Sequence, residues 1–75
     1  MARSLSKKVI SLKGGNEPLH AFLGQYQAEF KEDSSSEKGH VYWVPALGNW
    51  ILVMKKGNNA IVTFHAANDC PCQMI

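Results

Sequence analysis

Three histidines, His20, His40 and His65, are the side chains of this sequence whose unperturbed pKa values lie near neutrality. Beside them stand Lys55 and Lys56, with Lys7 and Lys8 near the start of the chain. Metal-independent RNA cleavage needs a base for the 2′-hydroxyl, an acid for the leaving oxygen and cations for the developing phosphorane charge. His65 with Lys55 or Lys56, and one of His40, Lys7 or Lys8, would supply that set. The plainer alternative is three unrelated surface histidines, since His40 opens one strand, His65 ends another, and the two need not meet.

Other groups point to less. Cys70-Pro71-Cys72 with His65 suggests a metal cluster, but one residue between paired cysteines is too few for a common structural zinc site and a fourth ligand is not evident. Two thiols on a terminal tail, with no metal and no cofactor, are the expectation. Cys72-Gln73-Met74-Ile75 formally matches a prenylation box, weakened by Gln at an aliphatic position and by the lack of an adjacent polybasic segment. Glu29, Glu32 and Asp33 have helical spacing, yet they adjoin the run Ser34–Ser36 and read better as a solvated charge cluster than as metal ligands. Tyr42, Trp43 and Trp50 could stack bases beside Lys55 and Lys56. A net charge of +2 favours the other reading, in which they form cross-strand pairs that fill a core or subunit interface.

The elements that must position these groups follow from periodicity. Asn16 is a good N-cap, Glu17 suits the positive end of a helix dipole, and Pro18 is tolerated in the first turn. Leu19, Phe22, Leu23, Tyr26 and Phe30 then make one apolar stripe, which predicts a helix ending near Lys31. Further on, His40 to Ala46, Trp50 to Lys56 and Ala60 to His65 read as strands, separated by turns at Leu47-Gly48-Asn49 and Gly57-Asn58-Asn59. Lys7 to Lys13 alternates weakly and ends at Gly14-Gly15. The expected fold is α+β, one helix packed on a three- to four-stranded antiparallel sheet in β-α-β-β-β order. It forms a single small domain over residues 1–75 with a short flexible tail from about residue 66.

The helix-then-meander order, with Asn49 to Gly57 and Ala60 to His65 as its central strands, is similar to the sheet of small bacterial ribonuclease toxins of the barnase/RelE kind. That resemblance covers about half the chain and implies a metal-independent endoribonuclease or an RNA binder.

Composition adds a constraint. Of 75 residues, 45% are hydrophobic and 19% charged, so the chain is built to fold. A domain this small buries only about 60% of the surface its unfolded form exposes. The apolar excess lies on both faces of the meander: Trp50, Leu52 and Met54 point one way, Ile51 and Val53 the other. One helix covers one face. The chain's own C-terminal segment, sheet curvature or a second copy must cover the other, and a second copy is favoured because Ala66 to Ile75 has few large apolar groups.

Arg3, Lys7, Lys8 and Lys13 form a basic start without an acid, which suits a solvated strand edge as well as phosphate contact. No signal peptide or apolar run of about 20 residues is visible, so a cytoplasmic location without membrane contact is expected. The expected function is a small intracellular binding or regulatory module. It would self-associate as a homodimer or higher oligomer, or meet a protein partner, through Tyr42, Trp43, Trp50, Leu52 and Met54. Cleavage or binding of RNA is the alternative.

Overall fold

The computed structural model describes residues 4–74. Among them one α-helix and five strands occur in the order β1 (Ser4–Ser11), α1 (Glu17–Gln25), β2 (Glu29–Phe30), β3 (His40–Val44), β4 (Asn49–Lys56) and β5 (Asn59–Ala66). Short 3-10 turns span Glu32–Ser34 and Pro71–Met74. The strands form one antiparallel sheet in the order β1-β5-β4-β3-β2.

The α+β class with one helix on an antiparallel sheet is as expected; the strand count and the element order are corrected. The additional strand comes from the end of the anticipated helix. The apolar spacing continues to Phe30, but α1 stops at Gln25 in a Schellman closure. There the Ala28 N–H donates to the Leu23 carbonyl and the Gln27 N–H to that of Gly24, both at 3.0 Å. Gln27 takes the left-handed conformation, φ 52°. The chain leaves extended, and Glu29 and Phe30 pair with Trp43 and Tyr42. Ser35 secures this edge, its hydroxyl donating to the Lys31 carbonyl (2.7 Å) and accepting from the Val41 N–H (2.8 Å).

The central hairpin β4–β5 turns through two residues, with Gly57 at φ 60° in the first position, as a type II′ turn requires. β1 then joins the free side of β5, Val9 facing Ile61 and Ile10 facing Ala60. Strand alternation sends Ile10, Val44, Ile51, Val53, Ala60 and Val62 to one face, where Leu19 and Leu23 of α1 close the core. Phe22, Tyr26 and Phe64 pack edge-on at its margin, with centroids 5.1–6.1 Å apart.

The second face is covered in part by the chain itself. Val41, Leu52 and His65 lie on it and are fully buried. The turn Glu32–Ser34 packs against β3 and the turn Pro71–Met74 against β4. Pro71 is fully buried, and the Trp50 indole N–H donates to the Ala67 carbonyl at 2.9 Å. The C-terminal segment covers this surface despite its few large side chains, because proline and backbone groups fill the space. What stays open is the row Val9–Ile61–Met54 across β1, β5 and β4, with Val9 52% and Met54 37% exposed.

Candidate functional site

The sheet separates the groups that sequence reasoning assembled around His65. Alternation places Lys55 on the helix face, and His65, Lys56 and Lys7 on the other. Lys8 returns to the helix face, its Nζ 5.0 Å from the centre of the Phe22 ring. His65 is buried, with Nε2 2.8 Å from Thr63 Oγ1. It therefore shares no cleft with Lys55 or with His40, which sits at the open start of β3.

A different set converges. A cavity of about 420 Å³ opens between the start of α1, the Ser36–Gly39 turn and the adjoining ends of β3 and β4, lined by His20, Lys38, His40, Tyr42 and Lys55 among others. Each of these has a local reason to be there. His40 faces Val53 across the β3–β4 ladder, and Lys55 lies two residues beyond Val53 on the same face. The Ser36 N–H donates to the Gly39 carbonyl (2.9 Å) and the Lys38 N–H to Ser36 Oγ (3.1 Å), closing a tight turn with Glu37 and Lys38 at its tip. His20 is one residue past the buried Leu19, so it emerges at the rim of the core.

The cavity has a positive bias. Lys38 and Lys55 oppose one carboxylate, that of Glu37. Asn16 occupies the N-cap of α1 without a side-chain capping bond, so the positive end of the helix dipole adds to the lysines. Burial pushes the Tyr42 hydroxyl above its ordinary pKa of 10.0, which keeps it a neutral donor. Beside this wall Phe30 is 51% exposed, its ring 5.4 Å from that of His40 and 5.6 Å from that of Tyr42.

The expected interface residues divide. Tyr42 packs against the core on the helix face; Trp43 and Trp50 form an edge-on pair at 4.8 Å on the second face. Leu52 is buried and Met54 exposed. Glu29 pairs with Lys31 (3.3 Å), while Glu32 and Asp33 lie in the following 3-10 turn. Among the described residues no group of three or more potential ligands gathers around a metal position. Cys70 and Cys72 bring their sulfurs to 2.8 Å. Arg3 and Ile75, parts of the basic start and of the prenylation box, lie outside the described residues.

Sequence reasoning named His20 among the histidines but left it out of the assembled set, and read Phe30 as the last residue of the helix stripe. Only the early closure at Gln27 moves Phe30 to a sheet edge. No helix of the described chain is long and apolar enough to cross a membrane. No family model, curated protein or solved structure matches the chain.

Proposed function

We propose that this protein binds single-stranded RNA, with a phosphodiester in the cavity between α1, β3 and β4 and a neighbouring base stacked on Phe30. The convergence of His20, His40, Lys38 and Lys55 on one cavity beside an exposed aromatic ring carries this reading. Lysines and the helix N-terminus offset phosphate charge, and the ring gives stacking that tolerates any base. Two imidazoles at the same phosphate would also be placed for acid and base roles in metal-independent cleavage of the chain at a 2′-hydroxyl. The setting proposed is the cytoplasm, a reducing compartment in which structural disulfides are rare.

Anisotropy of a labelled single-stranded RNA tests the binding. Affinity should fall steeply with salt, and Phe30→Ala should weaken it by roughly 1–3 kcal/mol. Salt-independent binding, or none at low salt, would end the proposal. Analysis of the RNA after incubation decides on cleavage, which His40→Ala should abolish if it occurs.

One observation favours a second reading, self-association: the apolar row Val9–Ile61–Met54, exposed at Val9 and Met54 and half-buried at Ile61, on the face left open by the C-terminal segment. A homodimer through this row should appear in light scattering at micromolar concentration and revert to monomer in Val9→Lys. A wild type that is monomeric throughout would remove it.

A further inference from the structure

We infer that Cys70 and Cys72 form a reactive dithiol that exchanges with small-molecule disulfides of the glutathione class and closes to a reversible intramolecular disulfide. The two sulfurs are 2.8 Å apart, against about 2.05 Å when bonded. Movement of less than an ångström joins them. Pro71 between them is fully buried, and the proline ring restricts the one intervening φ. The Cys72 N–H donates to Cys70 Sγ at 3.4 Å, which holds the pair turned toward one another. Both side chains are half-exposed, so a small disulfide can reach them.

The exchange balances in two steps. One cysteine, as thiolate, attacks a sulfur of the small disulfide, forming a mixed disulfide; the released thiolate takes up a proton. The second cysteine then gives up its proton and attacks the protein-side sulfur. A bond forms between Cys70 and Cys72 and a second small thiol leaves. In total two protein thiols lose two electrons and two protons, and one small disulfide is reduced to two thiols. The second step is intramolecular and preassembled, so the mixed disulfide should be short-lived. The bridge would close a loop of only three residues, too short to constrain the unfolded chain much. Its role is therefore redox exchange and not stapling of the fold. Because the segment carrying it also accepts the Trp50 hydrogen bond at Ala67, indole fluorescence should report the change.

The test is incubation of the full chain with excess oxidised glutathione, quenching by alkylation, and intact mass spectrometry. Wild type should lose both alkylation sites together and retain no glutathione, and reduced glutathione should restore both sites. Cys72→Ser should instead retain one glutathione on Cys70. Wild type that retains glutathione, keeps both thiols alkylatable, or links to a second chain would overturn the inference.

Discussion

His65 Nε2 and Thr63 Oγ1 meet at 2.8 Å on the second face of the sheet, with the imidazole fully buried. The histidine that its neighbours made the foremost candidate for proton transfer is enclosed in the fold and joined to a residue two positions away on the same strand face.

Replacing it should therefore cost stability. His65→Ala leaves a cavity where the buried imidazole sat and removes a partner from a half-buried hydroxyl, a loss of about 2–4 kcal/mol. Thr63→Val deletes the same bond while keeping shape, and should cost about 1–3 kcal/mol. Urea unfolding followed by Trp fluorescence measures both. An unchanged midpoint in His65→Ala would contradict the burial.

Lys55 and Lys56 are adjacent in sequence but opposed in space, and only Lys55 lines the cavity. Lys55→Ala should weaken RNA binding several-fold and lower the salt slope by about one. Lys56→Ala should change the affinity less than twofold. Equal effects from the two variants would show that diffuse charge, not the cavity, holds the ligand.

Gln27 closes α1 at φ 52°, where a side chain is disfavoured and glycine is not. Gln27→Gly should stabilise the fold by roughly 0.5–1 kcal/mol, the relief of left-handed strain less the entropy of the added glycine. A rise in thermal midpoint is the expected result; a fall would mean that the Gln27 side chain makes a compensating contact.

Tyr42 is a neutral acid held above its ordinary pKa by burial. In the unfolded chain its phenol ionises near 10.0, so the unfolded state holds fewer protons than the folded one above that pH. The contribution of Tyr42 to stability is thus complete below pH 10.0 and is lost as pH rises through the folded value. Tyrosinate absorbance should show a late-titrating component that disappears in Tyr42→Phe. A wild type without that component would refute this.

Much of the fold was legible in local pattern. Alternation in Val41–Val44 and Trp50–Met54, the glycines at 48 and 57, and the Asn16-Glu17-Pro18 start each have a short-range cause, and the corresponding elements form where that cause acts. The end of α1 was not legible, because Phe30 continues the apolar spacing and no glycine marks the closure at Gln27. The cavity was less legible still: its walls come from residues 16–20, 37–42 and 53–55, and their approach depends on how α1 lies across the sheet.

The short apolar-rich sequence determined that the sheet would have two apolar faces, since side chains on a strand alternate and both sets in the central strands are apolar. Only the tertiary structure decided what covers them. β1 closes against β5 at the far end of the sequence, and the residues after Ala66 return over β4, burying Pro71. Neither event has a local signature, because each is selected by the apolar area buried between segments distant in the chain.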